Sequence, residues 1–167
     1  MVKIRSFKGH LANKDMVSQV LSPPNDTLDS AEAKVMAEGN PMSFLHVVKP
    51  EINLPQTLDP YSLEVHQQGR KALNHFIENE YIQQDEEKRI YIYKMQMGDH
   101  VQHGILALTS IEDYENNLIK KHEFTLKKKL DDRTSLIDTQ NANAEPVFFT
   151  FKGHDYVKQK IAEIVTT

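Results

Sequence analysis

At 167 residues, with 39% apolar and 26% charged side chains, the chain has the composition of one globular domain large enough to bury a core. Its formal charge of −4 argues against nonspecific nucleic-acid binding, which needs a net basic surface. The absence of cysteine excludes disulfides, thiolate metal sites and a cysteine nucleophile. No apolar run approaches the ~20 residues of a membrane span, and residues 1–7 lack the apolar core of a signal peptide. The expected location is cytoplasmic.

Taken in order, Val2, Ile4 and Phe7 nearly alternate with polar residues, so residues 2–7 read as a short strand closed by Gly9. Residues 16–21 read as a second, stopped by the rigid turn Ser22-Pro23-Pro24-Asn25-Asp26. That turn is either plain architecture or a means of holding Asn25 and Asp26 against a ligand. Residues 31–38 are good helix formers, with Ser30 as the expected N-cap and Gly39 as the stop. The apolar run 43–48 reads as a buried strand, with His46 as a core histidine. Pro50, Pro55 and Pro60 punctuate a loop.

From residue 61 to 81 the spacing predicts an amphipathic helix. Val65, Gly69, Ala72 and Phe76 form one stripe, beside Leu73, Ile77 and Tyr81. His66 and His75 stand nine apart, not a face-sharing spacing, and read as surface or structural residues. Residues 90–97 alternate and are rich in β-formers; they turn at Gly98-Asp99 and return over 102–111 as a hairpin. His100 and His103 flank that turn without carboxylates at ligand spacing, a weak metal signal. Residues 112–117 read as a polar turn, 147–151 as a strand apolar on both faces, and 156–165 as a last helix. No repeat or low-complexity tract occurs. The expected architecture is a single α/β or α+β domain over residues 1–167, a mixed sheet flanked by helices.

The stretch with the most chemistry is residues 120–133. A helix is expected to open near Thr125, placing Thr125, Lys129 and Arg133 at four-residue spacing on one face, with His122 at its mouth. The first turn of a helix presents unpaired N–H groups and a positive dipole end, which suit an anion. Leu126, Leu130 and Ile137 give the helix a side to dock with. By composition alone the same residues also describe the solvated face of a surface helix, with Lys128 and Asp132 paired locally.

Several stretches together resemble, in order, the N-terminal part of the bacterial and archaeal domain-of-unknown-function family 1015. They are Lys3-Ile4-Arg5 with Phe7, Ser22-Pro23-Pro24-Asn25-Asp26, Asn40-Pro41-Met42-Ser43-Phe44-Leu45-His46-Val47, Asp113-Tyr114-Glu115-Asn116, Lys121-His122-Glu123 with Thr125, Lys129 and Asp132-Arg133, and Pro146-Val147-Phe148. The likeness spans roughly residues 3–151, and the motifs are specific only as a set. This chain departs from the family pattern at Asn25, where an aromatic residue is usual, and at Leu130, where an acidic one is. The resemblance implies that the chain corresponds to the N-terminal part of a longer architecture.

It also implies an association with free-serine kinases and, more loosely, with the ParB and sulfiredoxin superfamily. The expected function is then a small-molecule phosphotransferase with ATP, ADP or pyrophosphate as donor. Under that reading Lys121, Thr125, Lys129 and Arg133 bind phosphate. Glu123 is the general base, His122 contacts a phosphate or the acceptor, and Asp132 holds Mg2+. Two alternatives remain at this point: a non-catalytic phosphate- or nucleotide-binding module, and an interaction domain. The partner expected is a small-molecule substrate, with no membrane and no nucleic acid.

Overall fold

The computed structural model describes residues 2–121 and 124–166. They divide into two units, one holding residues 2–9, 86–121 and 146–166, the other 10–85 and 124–145. In chain order the elements are β1 (Ile4–Arg5), β2 (His10–Ala12), α1 (Val17–Val20), α2 (Ser30–Ala37), α3 (Leu45–Val48), α4 (Leu63–Glu78), β3 (Ile82–Gln84), β4 (Tyr91–Met97), β5 (His100–Leu106), β6 (Leu108–Thr109), α5 (Ile111–Glu115), α6 (Lys127–Gln140) and α7 (Asp155–Val165).

The class is α+β. The strands make three antiparallel pairs among the described residues, β1 with β6, β2 with β3 and β4 with β5, in place of one mixed sheet. Two expected strands differ. The run 43–48 holds the helical turn α3, which sends Leu45 and Val48 into one core cluster and Val47 into another. Six apolar residues are too few for periodicity to separate a strand from a helix, so packing decides. The segment 147–151 joins no ladder, and Val147, Phe148, Phe149 and Phe151 are all exposed. A strand needs a neighbour to take its N–H and C=O groups, and no described strand lies beside this one. Residues 16–21 hold α1, and α5 occupies most of the expected turn at 112–117.

In the unit of residues 2–9, 86–121 and 146–166, the hairpin β4–β5 turns at Gly98, whose φ of +58° suits the first position of a type II′ turn. Buried Asp113 accepts from Lys3 N at 2.6 Å, tying the first strand to α5. α7 buries no residue.

Every buried apolar side chain among the described residues lies in the other unit. There α2 is opened by a capping box. Asp29, not Ser30, is the N-cap, exchanging bonds with Glu32, and Gly39 follows the helix at φ +74° as expected. His46 has both ring nitrogens occupied, by Asn53 Oδ1 at 2.7 Å and Asn40 O at 3.1 Å, and reads as structural.

The spine of this unit is α4, which buries Val65, Gly69 and Phe76 of the first expected stripe, Leu73 of the second, and also His66, while Ala72 is half-buried and Ile77 exposed. Phe76 packs edge-on against Phe44 and Tyr81 beside Val20, Val47, Leu73 and Ile82. Gly69 lets α6 and α3 approach. A Cβ there would stand 2.7 Å from Gln140 Nε2 and 3.2 Å from Pro50 Cγ. The displaced Gln140 amide is the group that donates to Val47 O at 3.0 Å in a buried hydrogen bond. Gly69→Ala gains about 1 kcal/mol of helix propensity, whereas a lost buried bond plus overpacking costs about 2–4 kcal/mol. The substitution is therefore expected to destabilise, by about 1–3 kcal/mol in urea unfolding.

Candidate functional site

α6 starts at Lys127, two residues later than the sequence suggests, after Thr125 and Leu126. Its N-cap, Leu126, offers no side-chain acceptor, and its first turn carries no acidic residue. Instead Lys127, Lys128 and Lys129 follow in succession, all exposed. Cations at the positive end of a helix dipole oppose it by about 0.3–1 kcal/mol each, and among the described residues no side chain caps the first turn.

Beside this end lies an open cleft of about 530 Å³, lined by Tyr61, His66, Lys127, Lys128, Asp131, Asp132 and Ser135. The Lys128 ammonium stands 4.2 Å over the Tyr61 ring, and Lys127 Nζ reaches Asp131 at 2.5 Å. The expected i, i+4 pair of Lys128 with Asp132 is thus displaced by one residue. Two lysines and two aspartates leave the cleft formally balanced, so an anion has to compete with Asp131 for Lys127.

At the cleft floor α4 and α6 meet through His66, which is only 3% exposed. Its Nε2 lies 2.9 Å from Asp132 Oδ1, and its Nδ1 lies 2.9 Å from Ser135 Oγ. Asp132 and Ser135 are three apart on α6, so they face the same way and grip the ring from both sides. His66, read from the sequence as surface or structural, is buried here, and Tyr61, Lys127, Lys128, Asp131 and Ser135 line the cleft without having been singled out as site residues. The available signal was the position of His66 beside Val65 on the apolar face of α4; its spacing to His75 was the wrong test.

Arg133 points elsewhere. Its Nη1 donates to Glu145 Oε2, which also accepts from Asn25 Nδ2 at 3.0 Å, so the double-proline turn brings Asn25 to a side chain and not to open solvent. This cluster borders a separate small cavity of about 40 Å³ lined by Val48, Leu136 and Asn143 among others. Burial pushes the Glu145 carboxyl above its ordinary value. Arg133 and Lys49 pull it down without cancelling that rise, and Asp26 adds to it. A carboxyl that binds its proton more readily folded than unfolded adds stability in acid, and that contribution is lost as pH rises through the folded value. Arg133→Ala removes the cation that eases ionisation. We expect it to cost about 1–3 kcal/mol at neutral pH, with a smaller gap from the parent chain once acid protonates Glu145. Paired urea titrations across that range measure it.

Thr125, Lys129 and Arg133 are not among the residues that line the cleft. Lys129 and Thr125 are exposed near the start of α6, and Arg133 is engaged by Glu145. Lys121 belongs to the other unit, its ammonium 4.7 Å over the Tyr114 ring. His122 and Glu123, the expected catalytic pair, lie outside the described residues. Asp132 has Oδ1 on His66 and Oδ2 3.8 Å from Arg133 Nε. No group of three metal-ligating side chains forms among the described residues. With one oxygen on an imidazole and the other facing a cation, Asp132 alone makes no magnesium cradle. A magnesium ion prefers an octahedron of oxygens, in which substrate phosphates supply several ligands.

Among the described residues no helix is long and apolar enough to cross a membrane. In comparisons with known proteins, the family model described as protein of unknown function (DUF1015) matches residues 4–167. No curated protein and no solved structure matches the chain.

Proposed function

The chain belongs to the family of proteins of unknown function DUF1015, and from that membership and the cleft we propose a cytoplasmic phosphotransferase acting on a small hydroxyl compound. A phosphate-bearing donor (ATP, ADP or pyrophosphate) is held at the amino end of α6, and free serine is the acceptor to try first. The observation that carries the reading is the uncapped start of α6 with three successive lysines beside an open cleft. A bound phosphate relieves both anomalies at once. It accepts from N–H groups of the first turn and neutralises cations that the helix dipole otherwise disfavours.

Phosphoryl transfer asks mainly for positioning and for cations on the moving group. Lys127 and Lys128 supply point charges on the cleft wall, with Lys129 and Thr125 exposed near the start of the same helix. Arg133 contributes at a distance, through its pair with Glu145, by fixing α6. Glu123 remains the proposed base for the acceptor hydroxyl, and His122 the proposed contact to a phosphate or the acceptor. Magnesium arrives on the donor, not on a site prebuilt from Asp132.

A second reading, a phosphate- or nucleotide-binding module without turnover, is favoured by one observation. The cations best suited to a transition state, Arg133 and Lys127, already hold carboxylates.

The test is a thermal-shift series on the purified chain with phosphate, pyrophosphate, ADP and ATP, each with and without magnesium, followed by assay for phosphoserine. A ligand at 100 times its Kd stabilises by about 2.7 kcal/mol, a shift easily read. Donor-dependent stabilisation with phosphoserine formed supports the transferase. Stabilisation without product favours the binding module, and no shift with any donor removes both.

A further inference from the structure

We propose that Ser135 is a nucleophile that takes up a phosphoryl group from the donor in the cleft, with His66 as its base and Asp132 as the positioning residue for that base. The identity of the transferred group rests on the phosphotransferase reading; the reactivity of Ser135 does not.

The geometry carries the proposal. A carboxylate accepts hydrogen bonds, so Asp132 Oδ1 at 2.9 Å assigns the ring proton to Nε2. The Nδ1 lone pair then faces Ser135 Oγ at 2.9 Å, and the serine hydroxyl donates its proton to that nitrogen. Nucleophile bonded to base, and base bonded to an orienting carboxylate, is the arrangement by which an alcohol is activated, whatever the chain order. A histidine bridging two helices also serves as a clamp. Access separates the two roles, and all three side chains line the open cleft alongside Lys127 and Lys128.

Ser135 lies eight residues after Lys127, about 12 Å along the axis of α6. A single phosphate cannot touch both the first turn and Ser135. A donor with linked phosphates can, with its terminal phosphorus at Ser135 and the rest of the chain running toward the lysines. In the step, Ser135 Oγ bonds to phosphorus as the bond from phosphorus to the leaving oxygen breaks. The electron pair departs with that oxygen, and the hydroxyl proton passes to His66 Nδ1. The acceptor alcohol then attacks phosphorus as the bond from phosphorus to Oγ breaks; its proton goes to the base already proposed for the acceptor hydroxyl, while His66 returns the stored proton to Oγ.

The test uses a fluorophosphonate, which bonds to an activated serine and releases fluoride. The full chain is incubated with it, weighed intact and mapped by peptide. One adduct on Ser135 is expected, absent in Ser135→Ala and formed at least tenfold more slowly in His66→Gln and Asp132→Asn. The nitrogen NMR signature of the His66 ring should report the Nε2–H tautomer and lose it in Asp132→Asn, a change that a packing role alone would not require. Excess pyrophosphate should slow labelling severalfold. No adduct on Ser135 in the parent chain overturns the proposal, as does faster labelling elsewhere. Labelling that pyrophosphate never slows keeps the nucleophile and removes the phosphate reading. Pyrophosphate binding with no adduct does the reverse.

Discussion

Replacing His66 with alanine is expected to cost about 3–5 kcal/mol of unfolding free energy, the largest single loss at the cleft. Two terms add. The imidazole fills space between α4 and α6 at 3% exposure, so its removal leaves a cavity where the helices meet. It also strips Asp132, whose side chain is 12% exposed, of its 2.9 Å hydrogen bond, leaving Arg133 Nε at 3.8 Å, and a half-satisfied carboxylate with little water is costly. Asp132→Asn keeps an acceptor oxygen and the side-chain shape, so a smaller loss is expected there. A double-mutant cycle between His66→Ala and Asp132→Ala should show a coupling of about 1–3 kcal/mol, as groups in direct contact do. Independent, additive losses would mean that the ring is held by packing and that the carboxylate bond contributes little.

The second large effect concerns binding. Removing both Lys127 and Lys128 as alanines is expected to weaken pyrophosphate binding by about 2–4 kcal/mol, a factor of 30 or more, by analogy with loss of a phosphate-clamping charge. Both side chains line the cleft and both are exposed, so their truncation leaves the core intact. Stability should change little, because the Lys127–Asp131 pair is a surface i, i+4 contact of about 0.3–0.5 kcal/mol. Truncation also relieves the helix dipole of two opposing charges and so offsets part of that loss. Weaker binding together with unchanged folding separates a ligand role from a structural one. Lys129→Ala, outside the cleft lining, should have a smaller effect.

Much of the α+β class was legible in the sequence because long, strongly patterned segments speak for themselves. The adjacent stripes of Val65, Gly69, Ala72 and Phe76 and of Leu73, Ile77 and Tyr81 marked α4, and the alternation over 90–97 with Gly98-Asp99 marked the hairpin. Short apolar runs misled. Residues 43–48 carry no period of their own and became helical because Leu45 and Val48 meet Ala33, Ala37 and Ile52 on one side while Val47 meets Phe76 on the other. At the site, the sequence pointed to α6 and to Lys129, but not to Lys127 and Lys128, which line the cleft, nor to the partners of Arg133 and Asp132. Spacing along one helix cannot reveal that Arg133 meets Glu145, twelve residues on, or that Asp132 meets His66, sixty-six residues earlier. The second contact comes from the packing of α4 on α6, which Gly69 and Gln140 help set, and the first from the chain turning back after α6.

The central claim is that a phosphate group binds at the start of α6, and amide NMR during a pyrophosphate titration tests it most directly. The account predicts saturable shifts concentrated at Lys127, Lys128 and Lys129, with smaller ones at His66 and Ser135. Shifts that gather instead around Lys121 or Arg133, or spread without saturating, would contradict it.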